Sequence, residues 1–213
     1  MRISDYILMA IESFGTIAYG VSGAMMAIQK RADFFGVVFL GCVTATGGGI
    51  IRDIMLGHFP PRIFSDAPNV ILAVFSSIIV YFLARKWKEK YLSRERKIDT
   101  INNIFDSLGL GAFTVIGVQI AIDSGLAGHC ASSVFMGMVT GIGGGLARDL
   151  IINEIPFVLK KRIYALATIA GGLIYYLAQG YVNKTIAVFA AVVVTFTIRM
   201  LATHYRWNLP AAI

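Results

Sequence analysis

The chain has 213 residues, of which 57% are hydrophobic and 15% charged, with a formal net charge of +7 and a mean hydropathy of +0.72. A soluble domain of this size carries about 25% charged residues, so composition excludes one. It leaves an integral membrane protein with short connections and no room for a separate soluble domain.

In chain order, seven helical spans are expected, at about 6 to 28, 33 to 55, 68 to 85, 100 to 122, 130 to 152, 162 to 180 and 184 to 204, with ends uncertain by two to four residues. The first carries Glu12 and continues to Ile28 without a long positive start or a cleavage site, so it reads as a retained span rather than a signal peptide. One side of the membrane receives Lys30, Arg31, the run from Arg85 to Lys97, Lys160, Lys161, Arg162, Arg199 and Arg206; the other receives Arg2, Arg62 and Lys184. This asymmetry places the amino terminus outside and the carboxy terminus in the cytoplasm. It also explains the positive charge as orientation rather than nucleic-acid binding. The run from Arg85 to Lys97 is mainly a topology signal, with anionic lipid head groups as its candidate partner.

The chain repeats itself. Glu12-Ser13-Phe14-Gly15 matches Asp106-Ser107-Leu108-Gly109 at an offset of 94. Gly41, Thr44, Gly47 to Gly49, Arg52, Asp53 and Pro60 then match Gly137, Thr140, Gly143 to Gly145, Arg148, Asp149 and Pro156 at an offset of 96. Three spans per copy is an odd number, so the second copy enters from the opposite face. The expected architecture is an all-α integral membrane protein of two inverted three-helix repeats plus one extra helix, with glycine-kinked second and fifth helices. Repeat one covers about 6 to 85, a basic cytoplasmic linker 86 to 99, repeat two about 100 to 180 and the seventh helix about 184 to 204.

Each glycine run weakens a helix by roughly 1 kcal/mol per residue relative to alanine. Backbone bared at membrane depth is tolerated where it lines a watery cavity or is buried in protein. Two mechanisms follow if the helices break there. Freed carbonyls of Gly47, Gly48, Gly49, Gly143, Gly144 and Gly145 would hold a dehydrated monovalent cation; freed N–H groups beside Arg52 or Arg148 would hold an anion such as a carboxylate. The plainer alternative is that the glycines permit close helix packing.

Glu12, Arg52, Asp53, Asp106, Arg148 and Asp149 all fall within spans, where an ionisable group needs an interior position and a partner. Consecutive residues do not face each other on a helix, so Arg52 and Asp53 are expected to pair elsewhere. Glu12 with Arg52, and by the repeat Asp106 with Arg148, is the first expectation; crossed pairing of the two Arg-Asp units is the alternative. Pro60 and Pro156 are expected to end their spans. Cys42, Cys130 and the scattered His58, His129 and His204 support no metal site. With no nucleophile–base pair and no Gly-Lys-Ser/Thr phosphate loop, an enzyme is not expected, nor is any cofactor.

The doubled Gly-Gly-Gly-x-x-Arg-Asp, the three-plus-three-plus-one span pattern and the ending Trp207-Asn208-Leu209-Pro210 resemble the prokaryotic branch of the trimeric intracellular cation (TRIC) channel family. The resemblance implies a homotrimer with one pore per protomer, lined largely by the second and fifth spans and conducting potassium. By motif match it implies pore positions at Gly47, Gly48, Gly49, Arg52 and Asp53 with Gly143, Gly144, Gly145, Arg148 and Asp149. A second resemblance, to bacterial sequences grouped as glycine transporters, implies instead a carrier of a small amino acid held by its carboxylate at the broken helices.

Overall fold

The structure, a computed structural model, describes residues 3–65, 67–86, 95–160, 163–205 and 207. Seven main helices follow in order: α1 (Ile3–Gln29), α2 (Phe34–Met55), α3 (Ala67–Lys86), α4 (Glu95–Ala121), α5 (Cys130–Ile151), α6 (Ile163–Ala178) and α7 (Lys184–His204). Six are long and apolar enough to cross a membrane; α6, at 16 residues, is shorter. Helix α4 begins at Glu95 rather than near 100, so part of the expected linker is helical. Its polar start, from Glu95 to Thr100, extends an otherwise apolar span. The rest of the basic linker, 87–94, lies outside the described residues, as do Lys161, Arg162, Arg206 and the Asn208-Leu209-Pro210 ending.

Local chemistry sets the helix ends. Asp33 caps α2 by accepting from the Gly36 N–H at 2.8 Å, and Asn183 caps α7 by accepting from the Thr185 N–H at 2.9 Å, each satisfying a donor that the first turn leaves free. Helices α2 and α5 end alike. Gly57 and Asn153 take left-handed φ values of 73° and 56°, and the His58 and Glu154 N–H groups reach back to the Asp53 and Asp149 carbonyls at 2.8 and 2.9 Å. This six-to-one closure satisfies carbonyls that would otherwise be orphaned. Each span therefore stops several residues before Pro60 and Pro156.

Helix α4 is the hub, packed against α1, α5, α6 and α7. Its apolar stretch is 78% buried, against 22% for α3, which stands at the periphery. Two inverted triplets meet along α1–α4 and α2–α5, and the contacts between them are reciprocal. A Cβ added at Gly48 would lie 2.0 Å from the Thr140 carbonyl oxygen, and one at Gly144 would lie 2.0 Å from that of Thr44. Gly48 and Gly144, like Thr44 and Thr140, are 96 residues apart, so the crossing lies on the pseudo-two-fold axis. Tyr19 and Phe113, equivalent at the other offset, stack across the same axis with ring centroids 5.3 Å apart.

This crossing corrects one expectation. Both helices are continuous through their glycines, so the runs do not break them and no carbonyls or N–H groups are freed there. In a bilayer an unpaired backbone group costs several kcal/mol, and a glycine helix keeps its ladder while letting a second helix come into backbone contact. Close packing is the role that Gly48, Gly143 and Gly144 take, each with facing backbone within 3.0 Å of where a Cβ would stand.

Candidate functional site

The sequence places an Arg-Asp pair three residues after each glycine run, on the last turns of α2 and α5. Arg52 and Asp53 are 3% and 1% exposed, Arg148 and Asp149 0% and 2%. In the first repeat, Arg52 Nε and Nη2 both donate to Asp53 Oδ1, at 2.9 and 2.7 Å. The expected exclusion of neighbours was therefore wrong for this pair. The rule concerns side chains that project straight outward, whereas a long guanidinium folds sideways around the helix and meets a short carboxylate one position on. The folded guanidinium lies beside the third glycine without requiring it: a Cβ at Gly49 would meet only Arg52 Nη2, in ordinary contact at 3.6 Å.

The other carboxylate oxygen has a different task. Asp53 Oδ2 accepts from the Arg62 backbone N–H at 2.9 Å, and Asp149 Oδ2 from the Phe157 backbone N–H at 2.9 Å. Each Asp thus ties the segment after its helix back to the helix end. Glu12 on α1, Gly49, Arg52 and Asp53 line one cavity of about 40 Å³, with Arg62 at its edge. That is room for only a few waters. A wider vestibule of about 360 Å³ shares Glu12, Arg62 and Asn69 with it. Glu12, half-buried, therefore lines both spaces, as Arg62 and Asn69 do, and shares the smaller one with its expected partner Arg52.

The second repeat builds the same motif into a closed cluster. Arg148 donates through Nη1 to Asp106 Oδ1 at 2.9 Å and to Ser22 Oγ at 2.9 Å, and through Nε to Asp149 Oδ1 at 2.9 Å. The Asp106–Arg148 pair is the one expected from the repeat; Asp149 joins it, and there is no crossed pairing of the two Arg-Asp units among the recorded contacts. Arg199 of α7 is a correction. Counted among the basic flanks in sequence, it is 1% exposed, donates to Asn103 Oδ1 at 2.9 Å, lies over the Tyr164 ring and stands 4.0 Å from Asp106 Oδ2. Its position near the end of its span reads as a topology signal, and Asp106 on α4 gave no hint otherwise because Arg148 already answered it. Ser22, Tyr19 and Tyr164 were also missed, because hydroxyls in apolar spans carry little signal of their own.

The charge balance is thus local and complete. Asp53 neutralises Arg52, while Asp106 and Asp149 neutralise Arg148 and Arg199. Burial of these ions is tolerable only with such pairing and its additional hydrogen bonds. A modest test follows from the clamp. Asp53→Asn, which weakens both the Arg52 and the Arg62 contacts, should cost about 1–3 kcal/mol and increase proteolysis in the 57–65 segment, measured by limited digestion.

Continuous helices in two inverted triplets, joined at paired glycines and flanked by buried ion pairs, define a multi-pass membrane protein with an internal two-fold repeat. Comparison with known proteins gives the same division. A family model described as Glycine transporter matches twice, at residues 9–86 and 103–180. The UPF0126 inner membrane protein YadS of Escherichia coli K12 is 35% identical over 94% of this chain and 93% of its own. A UPF0126 membrane protein of Vibrio cholerae is 36% identical over 96% and 82%. Among solved structures, a prokaryotic TRIC channel crystallised in 0.5 M KCl superposes with a TM-score of 0.86 at 36% identity, covering 96% of this chain and 99% of that one. The TRIC trimeric intracellular cation channel orthologue from Rhodobacter sphaeroides gives 0.83 at 27% identity, covering 94% and 99%. The chain belongs to this family, the prokaryotic TRIC channels that the UPF0126 and Glycine transporter names also describe. Its members of known structure are channels, not enzymes.

Proposed function

We propose that the chain assembles as a homotrimer in the bacterial inner membrane and conducts monovalent cations, mainly potassium, through a path in each subunit beside the α2–α5 crossing. The observation that carries this reading is Glu12, a carboxylate that lines both the wide vestibule and the water-sized cavity of the paired Arg52 and Asp53, and we place the throat of the path there. A carboxylate there attracts a cation. Arg52 does not repel it at full strength, because its Nε and Nη2 both donate to the Asp53 carboxylate. The pathway residues on this reading are Gly47, Gly48, Gly49, Arg52 and Asp53 with Gly143, Gly144, Gly145, Arg148 and Asp149, supported by Glu12 and Asp106. The glycines act by bringing the two helices together, and side-chain oxygens rather than freed carbonyls replace the ion's water.

Charge supports the orientation. Lys30, Arg31, Arg85 and Lys86 lie at the ends of α1 and α3 on one side, which favours that side as the cytoplasmic one, with the amino terminus outside. Trimer formation is carried over from the Rhodobacter relative, described as trimeric. The carrier reading loses its site, because a carboxylate held at helix N-termini needs breaks that α2 and α5 do not have.

The test is purified protein in a planar bilayer under a potassium gradient, followed by glycine under symmetric potassium. Single-channel steps reversing near the potassium equilibrium potential, with no saturable uptake of glycine, are expected; silent bilayers with saturable uptake of labelled glycine overturn the proposal. Glu12→Gln should lower unitary potassium conductance by about an order of magnitude at low ionic strength and by less in concentrated salt, where a fixed charge is screened.

A further inference from the structure

The vestibule carries more than a route to the throat. Its wall presents Glu12 and Arg62, opposite charges on two different elements, together with the neutral hydrogen-bonding groups Ser13, Ser65 and Asn69. We propose that this vestibule binds a zwitterion with a primary ammonium and an anionic group, the ammonium on Glu12 and the anion on Arg62.

The space, about 360 Å³, falls in the range of small-ligand sites. A wall with both signs of charge favours a molecule carrying both over either simple ion. A guanidinium offers a planar fork suited to a carboxylate or phosphate, and a carboxylate accepts the several N–H donors of a primary ammonium. Arg62 is also held in place. Its backbone N–H is bound by Asp53, its carbonyl accepts from Ser65 Oγ at 3.0 Å, and it opens the single 3₁₀ turn Arg62–Phe64.

Two sources share this chemistry: a free α-amino acid and a phosphoethanolamine lipid head group. Phe59 and Phe64, 70% and 76% exposed on either side of Arg62, put the cavity at the level where aromatic residues meet head groups. Because Glu12 lines both spaces, an ammonium bound there takes the carboxylate that would serve a passing cation. That consequence rests on the channel reading; the binding itself does not.

The experiment uses the purified full-length protein and two binding arms. Titration calorimetry in detergent compares glycine and phosphoethanolamine with their trimethylated counterparts, and native mass spectrometry from nanodiscs compares retention of phosphatidylethanolamine with phosphatidylcholine. The expected result is at least tenfold preference for a primary ammonium in one arm, reduced tenfold or more by Glu12→Gln and by Arg62→Gln. Ser65→Trp, at an exposed position, should abolish it by filling the space while keeping both charged side chains, and Ser65→Ala, which loses only the bond to the Arg62 carbonyl, should leave most of the binding. Preference in calorimetry alone identifies a free zwitterion, and preference in nanodiscs identifies the head group. Equal affinity for primary and trimethylated ligands, or binding untouched by the first three variants, overturns the proposal. Potassium flux is read in parallel. Binding without flux removes the channel reading and leaves this site, and flux without binding removes this site alone.

Discussion

Gly48→Ala and Gly144→Ala, made singly, should each cost the protein most of its folded yield, while Gly47→Ala and Gly49→Ala should be tolerated. The four positions look alike in sequence. A methyl group at Gly48 or Gly144 would sit 2.0 Å from a backbone carbonyl oxygen of the facing helix, and a backbone atom in a packed helix cannot swing away as a side chain can. At Gly47 the nearest atom would be Ala147 Cβ at 3.4 Å, and at Gly49 a guanidinium nitrogen at 3.6 Å. Overpacking by one methylene typically costs 1–3 kcal/mol, and more where nothing can yield, so the two central positions should reach or pass the upper end. Fluorescence-detected size-exclusion chromatography after heating measures this. Equal behaviour of all four variants would show that the α2–α5 crossing is looser than described.

Asp106→Asn should be the most damaging of the charge substitutions. It removes the carboxylate bound by Arg148 and approached by Arg199, leaving two buried guanidinium groups with Asp149 alone. Breaking one partner of a buried pair costs about 3–5 kcal/mol, a fall in Tm on the order of 10 °C for a chain of this length. The combination Asp106→Asn with Arg199→Met restores charge balance and should recover a substantial part of the loss. If the double variant is no better than Asp106→Asn alone, Arg199 does not depend on Asp106. Glu12→Gln, at the equivalent position of the first repeat, should cost little, because Glu12 is only half-buried at the edge of a cavity.

The contrast between these two acids explains what was legible in the sequence. Hydropathy sets helix number and length, and the odd span count of each repeat forces inversion, so the architecture follows from composition and spacing. The Asp106–Arg148 contact follows too, once the repeat aligns the acids with the arginines. The glycine runs were legible as a place but not as a geometry, since the same three residues permit either a break or a close crossing. Which occurs depends on whether another helix arrives, here α5 against α2. Arg199 was illegible for a related reason: a basic residue near the end of a span looks the same whether it flanks the membrane or turns inward to α4. The Arg52–Asp53 contact was lost to a rule about projecting side chains that a folded-back guanidinium does not obey.

The reciprocal contact of Gly48 with Thr140 and Gly144 with Thr44 has the form of an isologous dimer interface, in which one patch meets its own copy. A half-length chain inserted in both orientations would present the same interface between two separate copies, and a single chain holds both copies without requiring them to be identical. Tyr19 keeps a hydroxyl, bonded to the Gly141 carbonyl, that its counterpart Phe113 lacks, and Arg199 arrives on a helix outside the repeat. The two-fold axis thus preserves the shared assembly, while unequal residues on either side give the two ends of the molecule different chemistry.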